Sequence, residues 1–365
     1  MGKTTIVVIN MLVVLALLLA YLATYISPEK ASVLAFFGIG YGILLVINIG
    51  FVVFWLLIKK RWALLSFLAI AIGFNHLAAY FQIFPGTAFD GDGIKSVKVF
   101  SHNVRLFGWY NWRTNKADRD AMISRMQLEN ADIYCFQEFF HNSDPEKFET
   151  RELLKKKLDA PYLHDLFTTT IREKQHYGIA TLSKYPIVNQ GRINFDGERS
   201  NICIYSDINI LGDTVRVYNA HVASIRFTND NYKFLDELQN DTSTTRPEYK
   251  EGVNIIYRLN NAYRKRSLQV HLILDHMAQC PYPIIFCGDL NDTPVSYSYG
   301  QLSRNMKDSF RESGWGIGNT YLGRFPSFRI DYIFHDEGME SAEYKTHKED
   351  ISDHHAISTR IYLNP

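Results

Sequence analysis

The sequence predicts an α/β protein with two packed β-sheets and helices on the outside, preceded by three transmembrane helices. Two observations predict this arrangement. Residues 1–94 contain 63 apolar residues but only five Lys or Arg and three Asp or Glu, whereas about two fifths of the remainder is apolar. Beyond residue 95, strand patterns alternate with helical patterns and turn residues. We therefore expect a membrane anchor over residues 1–92 and a folded domain over residues 95–365.

Three uncharged runs fill the first segment, and each is longer than the roughly 20 apolar residues that cross a bilayer as a helix. We expect spans at about residues 5–26, 32–58 and 62–84. A cleaved signal peptide is the alternative for the first run, although no small-residue cleavage motif follows it. The basic loop of Lys59, Lys60 and Arg61 is expected to be cytoplasmic. This places the N-terminus in the cytoplasm and the folded domain on the outer, periplasmic side of the inner cell membrane.

The second segment reads as strands and helices in mixed order. Alternating or continuously apolar stretches predict strands at 97–102, 133–136, 178–183, 201–210, 214–222, 283–288, 330–334 and 356–362. Helical spacing predicts helices at 116–130, 146–158, 231–239 and 253–278. The polar stretch 226–252 is expected to be an insertion. No internal repeat interrupts this pattern, so a single domain is expected.

Composition limits the function classes. Without the first 94 residues, 34 Lys or Arg face 35 Asp or Glu, a net charge of −1. A domain that holds nucleic acid mainly through phosphate contacts is usually basic, so the balance counts against that class. The basic triplet at residues 264–266 remains open as a local patch or a solvated helix face. The four cysteines form no zinc or redox motif.

Polar side chains follow or precede the predicted strands at comparable positions. Loops at strand ends are held rigidly by the sheet and often carry ligands. The residues at these positions are Asn103, Glu138, His221, Asp289, Asn291, Asp331, Asp353 and His354.

These residue types suit one reaction. Mg²⁺ takes few protein ligands, mostly oxygen, which Glu138, Asn103 and Asp353 would supply. A histidine held by a carboxylate activates water, and His354 with Asp331 forms such a pair. Negative charge on a phosphorus-centred transition state would be stabilised by Asn291, His221 and the metal. With no G-x-S-x-G motif and no signature around a cysteine, direct attack by water is favoured over a covalent intermediate.

Six motifs along residues 95–363 carry a resemblance to a known family. They are SHNVR, FQE, NAHVA, CGDLNDTP, RIDYIF and ISDHHA, in this order. The chain resembles the endonuclease/exonuclease/phosphatase family, which includes proteins like type I deoxyribonuclease, exonuclease III and the sphingomyelinases. The expected membrane segments before such a domain resemble those of some bacterial members and, loosely, those of certain sphingomyelinases. The resemblance implies a four-layer sandwich of two central sheets flanked by helices, and a Mg²⁺- or Mn²⁺-dependent phosphoester hydrolase.

The resemblance also implies roles for single residues. It makes Glu138 the principal metal ligand, beside Asn103 and with Asp353 in support. It places Asp289 and Asn291 at the attacking water and the scissile phosphate, with His354 and Asp331 as the base or phosphate-contacting pair. His221 then contacts the phosphate or assists the leaving group. The neighbouring His355 is the alternative for the role given to His354, although the register of the motif favours His354.

Arg105 and Arg329 flank the motifs and are expected to contact substrate or to be structural. The leading hypothesis is a membrane-anchored phosphodiesterase or phosphatase acting on a phosphate ester, such as a lipid head group. The partners expected are that substrate and the lipid bilayer, and no obligate protein partner is deduced. A nuclease with the same residues is the alternative, and a non-catalytic membrane scaffold is a third.

Overall fold

The structure, a computed structural model, describes most of the 365 residues. The described residues are 2–83, 93–111, 116–144, 148–195, 200–225, 227–228, 230–231, 233–234, 249–323, 328–348 and 351–363. They form two compact units, each considered by itself. One unit comprises Met1–Ala78, Ala223–Leu268 and Thr293–Gln301, and the other comprises Ala79–Val222, Gln269–Asp292 and Leu302–Pro365.

The N-terminal helices are short in places where continuous spans are predicted. They are α1 (Lys3–Leu22), α2 (Pro28–Ala31), α3 (Val33–Ile39), α4 (Tyr41–Ile58), α5 (Ala63–Ile72) and α6 (Phe74–Tyr80), with a 3₁₀ turn at Lys60–Trp62. Helices α1 and α4 are long and apolar enough to cross a membrane. These two helices are therefore consistent with a membrane anchor.

The other predicted spans are interrupted, which corrects the expectation of three continuous helices. The run at 32–58 breaks at Gly40, which separates α3 from α4. The run at 62–84 bends by 66° at Gly73, between α5 and α6, and its last residue lies outside the described part of the chain. Glycine lowers helix propensity by about 1 kcal/mol relative to alanine, so a hydropathy pattern that ignores it overestimates helix continuity.

The second unit contains two six-stranded sheets. The first sheet has the order β10-β12-β9-β8-β7-β6, and its strands are β6 (Ile187–Ile193), β7 (Ile202–Ile210), β8 (Asp213–His221), β9 (Ile284–Asp289), β10 (Lys307–Asp308) and β12 (Asp331–His335). The second sheet has the order β13-β14-β2-β3-β5-β4, and its strands are β2 (Ser96–Asn103), β3 (Ile133–Asn142), β4 (Tyr162–Ile171), β5 (Gln175–Ser183), β13 (Glu340–His347) and β14 (Ala356–Tyr362). A small pair joins β1 (Phe81–Gln82) to β11 (Gly316–Ile317).

The helices that follow the N-terminal ones are α7 (Lys116–Glu129), α8 (Arg151–Lys157), α9 (Tyr249–Met277), α10 (Tyr297–Leu302) and α11 (Ser309–Ser313), with a 3₁₀ segment at Arg105–Asn111. Helices α7, α8 and α11 and the end of α9 belong to the unit with the sheets, whereas the first part of α9 and most of α10 belong to the other unit. The predicted helices at 116–130, 146–158 and 253–278 correspond to α7, to a shorter α8 and to a longer α9. The predicted helix at 231–239 lies largely outside the described residues.

Side chains alternate between two cores along the central strands of the second sheet. Ile133 and Cys135 pack in a core between the two sheets, together with Val217 and Ile285 of the first sheet. Tyr134, like the other side chains on the opposite face of β3, packs under α7. On the far side of the first sheet, Tyr218 and His276 of α9 are hydrogen-bonded at 2.8 Å. The unit is thus two sheets flanked by helices, as the sequence predicts.

Three long strands escaped the sequence prediction, and all three lie at sheet edges. They are β4 and β13, which border the second sheet, and β6, which borders the first. Several of their side chains are exposed or half-buried. An edge strand therefore lacks the continuous apolar run that marks a central strand.

Candidate functional site

The predicted strand-end residues of the first sheet are brought together by strand register. Strands β8 and β9 are parallel, and His221 lies opposite Asp289 where both strands end. Strand β12 runs antiparallel to β9, so its first residue, Asp331, lies opposite Asp289 on the other side. Three polar residues from three separate motifs therefore lie side by side at the end of this sheet where β8 and β9 end and β12 begins.

The second sheet contributes Asn103 and Glu138 from the parallel strands β2 and β3. Asn103 pairs with Gln137 in the strand register. Immediately afterwards the pairing of β3 with β5 is irregular, between Phe136 and Phe139, and Glu138 adopts a left-handed backbone conformation with φ 48°. That conformation costs a non-glycine residue about 1 kcal/mol or more, and a bulge redirects the side chain. The strain thus coincides with a carboxylate predicted to bind a metal.

Asn103 connects the two sheets. Its amide Nδ2 donates to Asp289 Oδ2 at 3.0 Å and lies 3.5 Å from Glu138 Oε1. Its Oδ1 accepts a hydrogen bond from the backbone N–H of Arg105 at 3.1 Å. His221 Nε2 approaches the same carboxylates, at 3.6 Å from Asp289 Oδ2 and 3.9 Å from Glu138 Oε1. The two carboxylates therefore lie in one cluster with an amide and an imidazole.

His354 forms the predicted pair with Asp331. Its Nδ1 lies 2.9 Å from Asp331 Oδ2, and its Nε2 lies 3.8 Å from Asp289 Oδ2. Burial by itself would lower the pKa of His354, but the Asp331 and Asp289 carboxylates raise it to about 10. The backbone N–H of His354 donates to Ser352 Oγ, which donates in turn to the Asn103 carbonyl. Hydrogen bonds therefore hold both the ring and the backbone of His354 in place.

Asp289 lies at the centre of this arrangement and is fully buried. Burial raises the pKa of its carboxyl, and the neighbouring Asp331 carboxylate raises it further. Its Oδ1 accepts a hydrogen bond from the backbone N–H of Asn291 at 2.8 Å. Asn291 has a left-handed backbone, with φ 49°, and its Nδ2 donates to the Val222 carbonyl at 3.2 Å. The turn after β9 is thus tied to the carboxylate that precedes it.

Two places in the cluster fit a divalent cation. Ligand atoms of Asp289, Asp331 and His354 lie within 4.8 Å of one another. Glu138, whose side chain is 30% exposed, offers carboxylate oxygen at the second place, where the neighbouring Asn103 presents its Nδ2 rather than its Oδ1. Two buried atoms, Asp331 Oδ1 and His221 Nε2, make no hydrogen bond with any residue in the described ranges. Orphaned buried polar atoms are costly, and a ligand at this edge would satisfy them.

The two predicted substrate arginines differ in position. Arg105 Nε is 3.4 Å from Asp353 Oδ2, and both side chains are partly exposed beside the cluster. Arg329 is 1% exposed, and its guanidinium donates to both Asp308 oxygens, at 3.0 and 2.7 Å. An arginine held in this way cannot reach a substrate, so the substrate role expected for Arg329 is corrected to a structural one.

The sequence reasoning missed Tyr321 and Thr320. The Tyr321 ring packs edge-on against the His354 ring at 5.2 Å. Thr320 Oγ1 accepts the backbone N–H groups of Ile330 and Asp331, and its carbonyl accepts the N–H of His355. The surrounding segment has neither periodicity nor a charged motif, so nothing in it marked these residues. His354 is the histidine that pairs with Asp331.

Two family models match the chain. The first is described as the endonuclease/exonuclease/phosphatase family and matches residues 100–354. The second is described as a domain of unknown function and matches residues 3–80. No curated protein matches the sequence.

Solved structures resemble the fold at low sequence identity. An endonuclease/exonuclease/phosphatase from Beutenbergia cavernae is 15% identical with a TM-score of 0.51, and the match covers 74% of this chain and 72% of the Beutenbergia chain. D. rerio TDP2, humanized by 14 mutations, is 16% identical with a TM-score of 0.50, and the match covers 73% of this chain and 99% of the TDP2 chain. D. rerio TDP2 complexed with a single-strand DNA product has the same values. These structures support the two-sheet fold.

Proposed function

The chain belongs to the endonuclease/exonuclease/phosphatase family of metal-dependent phosphoester hydrolases, and we propose that this member is anchored in a membrane and hydrolyses a phosphate ester presented at the bilayer. One observation carries the proposal. The His354–Asp331 pair faces Asp289 in a cluster that also contains Glu138 and Asn103. This combination provides an oriented imidazole and carboxylate oxygens at one edge of the sheets.

In this proposal the cation binds at Glu138, the partly exposed carboxylate, rather than at the buried triad of Asp289, Asp331 and His354. Glu138 would hold Mg²⁺ or Mn²⁺, supported by Asp353, because hard cations prefer oxygen and keep room for substrate oxygens. Asn103 would join them with its amide turned so that Oδ1, rather than the Nδ2 that now faces Glu138, points to the cation. His354 Nδ1 already bonds to Asp331, which makes the buried triad the less suitable place. When bound, the cation supplies positive charge that neutralises the phosphate oxygens.

The protein side chains supply orientation and proton transfer. A water between His354 Nε2 and Asp289 Oδ2, which are 3.8 Å apart, would be aligned by both atoms. The raised pKa of His354 keeps its imidazole protonated near neutral pH, so the water gives its proton to the Asp289 carboxylate, whose pKa is raised by burial. The water oxygen attacks phosphorus, and the ester P–O bond breaks with the leaving oxygen taking the electron pair. Asp331 stabilises the imidazolium. The unpartnered Nε2 of His221 and the Nδ2 of Asn291 are suited to donate to phosphate oxygens.

The anchor in this proposal has three spans, formed by α1, by α3 with α4, and by the bent pair of α5 and α6. The supporting facts are the apolar lengths of α1 and α4 and the basic loop at residues 59–61. The anchor occupies residues 1–92 and the catalytic domain residues 95–365. We place the N-terminus in the cytoplasm and the catalytic domain on the periplasmic side.

A lipid-linked phosphate is the favoured substrate, and the charge of the catalytic part supports it. The net charge of −1 beyond residue 94 provides little attraction for a polyanionic nucleic acid. The anchor keeps the domain next to lipid head groups. A nuclease with the same residues is the competing candidate, and the similarity to the TDP2 structure with a DNA product is its support.

The test uses the full chain in lipid vesicles with Mg²⁺. Phospholipid head-group release, plasmid cleavage and hydrolysis of small phosphate mono- and diesters are measured with the same preparation, with His354→Ala as the background control. We expect metal-dependent turnover of lipid phosphate and slow plasmid cleavage. Rapid plasmid cleavage without lipid turnover would show that the nuclease alternative is correct.

A further inference from the structure

The first half of α9 presents an apolar surface. Its residues up to Leu268 belong to the same compact unit as the N-terminal apolar helices. On this stretch Val253 is 46% exposed, Ile256 56% and Tyr257 64%. Three large apolar side chains within five residues form a contiguous exposed patch, which marks an interaction site more often than scattered single residues do.

One face of α9 is covered at one end and uncovered at the other. Residues 256, 260, 263 and 267 are spaced i, i+4, i+7 and i+11 and therefore share a face. Ser267 Oγ lies 3.1 Å from Ser27 Oγ, and the Tyr263 ring packs edge-on against Phe36 at 5.7 Å. Ile256 lies on this face, roughly 10 Å further toward the helix N-terminus. The face that packs on the anchor thus continues as exposed apolar surface.

The anchor residues that α9 contacts lie where the apolar helices end. Ser27 follows α1 by five residues and caps the short α2, which contains the charged pair Glu29 and Lys30. Phe36 lies in α3, at the start of the next apolar run. Only 28% of the apolar window of α1 is buried, and Leu12 and Leu15 are among its exposed side chains. The exposed patch of α9 therefore continues from the end of an outward-facing apolar surface.

Charge completes the pattern. Residues 249–268 contain five Lys or Arg and one Glu. Arg264 and Lys265 are exposed, two turns beyond the apolar patch, whereas Arg266 is buried and donates to the Ala223 carbonyl. A helix with exposed apolar side chains and neighbouring basic ones binds in the interface of a bilayer containing anionic lipids.

We propose that the first half of α9 lies on the bilayer surface, with Val253, Ile256 and Tyr257 inserted between head groups and acyl chains. The bilayer is the occupant because the patch continues the outward-facing surface of the apolar helices and is flanked by basic residues. The proposal rests on the membrane anchoring proposed above. It adds a second, peripheral attachment that would hold the chain flat against the lipid.

Site-directed spin labels test this in the full chain reconstituted into vesicles of phosphatidylcholine and phosphatidylglycerol. Cys280, the one half-exposed cysteine of the described four, is first replaced by Ser. Labels at Ile256→Cys and, separately, at Val253→Cys are compared for accessibility to oxygen, which enriches in lipid, and to a polar nickel chelate. Leu12→Cys in α1, 61% exposed, is the lipid control, and Leu128→Cys in α7, 74% exposed, is the aqueous control.

We expect the oxygen-to-nickel accessibility ratio at residues 253 and 256 to exceed that at residue 128 by on the order of tenfold. A ratio equal to that at residue 128, with residue 12 in lipid, would overturn this inference and leave the anchoring intact. An aqueous ratio at residue 12 would refute the anchoring itself. Labels shielded from both reagents would show a protein contact instead and would also overturn the inference.

Discussion

Two clusters of buried polar side chains, one in each unit, differ in whether their members satisfy one another. In the apolar N-terminal unit, Asn10 Nδ2 donates to Ser66 Oγ at 2.6 Å, and Trp55 Nε1 donates to Asn10 Oδ1 at 2.9 Å. These residues lie on three different helices and are at most 1% exposed. The amide of Asn10 is used at both ends, so this group is complete without a ligand.

The strand-end cluster is buried to a similar degree but is incomplete. Asp331 Oδ1 and His221 Nε2 have no hydrogen-bond partner among the described residues, and the Asp289 carboxylate faces a second carboxylate. Unsatisfied buried groups destabilise a fold and persist where a ligand or a reaction uses them. Burial of polar residues therefore does not mark the site, and neither does an unpartnered atom alone, because Asn48 Oδ1 in the N-terminal unit also has no hydrogen-bond partner among the described residues. What distinguishes the strand-end cluster is that its unpartnered atoms lie beside two facing carboxylates.

Removing the imidazole of the incomplete cluster should have the largest effect. We expect His354→Ala to lower the rate of phosphoester hydrolysis by about 10³-fold, because it removes the imidazolium that aligns the water beside Asp289 and stabilises negative charge in the transition state. The measurement is initial rate with saturating Mg²⁺, with circular dichroism confirming the fold. His355→Ala is the matched control and should retain most of the rate. Equal losses in both variants would mean that the histidines were assigned incorrectly.

The proposed metal position predicts the next effect. Glu138→Gln keeps the shape of the side chain but removes its charge, so we expect a rate loss of about 10²-fold at fixed Mg²⁺ and a half-activating Mg²⁺ concentration raised at least about tenfold. Asp331→Asn should lower the rate without raising the Mg²⁺ requirement. If Asp331→Asn rather than Glu138→Gln raises that requirement, the cation lies at the buried triad.

The sequence indicated this site because its residues follow apolar strands, and strand register then determines their neighbours. Asp289, for example, could be placed at a strand end from the run PIIFCG alone. The contact of Asn103 with Asp289 could not be predicted from the sequence, because it depends on how the two sheets pack against each other. The left-handed turn at Glu138 was equally hidden, since a bulge leaves no periodic signal.

Arg329 shows why position in a motif is insufficient. It precedes the strand that begins with Asp331, as a substrate-binding residue would, yet its side chain turns to Asp308, a residue in a segment without a recognisable pattern. For Arg329, packing between segments that are distant in the sequence determined the outcome. The interruptions of the predicted spans at Gly40 and Gly73 have a local cause instead, the low helix propensity of glycine, which a hydropathy pattern ignores.

Replacing Arg105 or Arg329 should have smaller effects, on catalysis in the first case and on stability in the second. Arg105→Ala should reduce the ratio kcat/KM by about tenfold with little change in stability, because its exposed guanidinium is next to Asp353 at the cluster. Arg329→Ala should lower the free energy of unfolding by about 3 kcal/mol, because it leaves Asp308 buried and unpaired. Kinetics and thermal unfolding of both variants are compared. If the Arg329→Ala variant is as stable as the unaltered protein but binds substrate more weakly, Arg329 is a substrate-binding residue after all.

The complete cluster of the N-terminal unit should give the smallest effect, and on stability alone. Asn10→Ala breaks the bonds to Ser66 and Trp55, and polar contacts between helices in bilayers contribute about 0.6–1.7 kcal/mol. We expect a loss of about 1 kcal/mol in unfolding of the reconstituted chain, with the rate of hydrolysis unchanged. Leu12→Ala, at an outward-facing position of the same helix, is the control and should cost less. A substantial loss of rate in Asn10→Ala without loss of stability would mean that the polar group inside the apolar helices also serves the reaction, and the contrast between the two regions would fail.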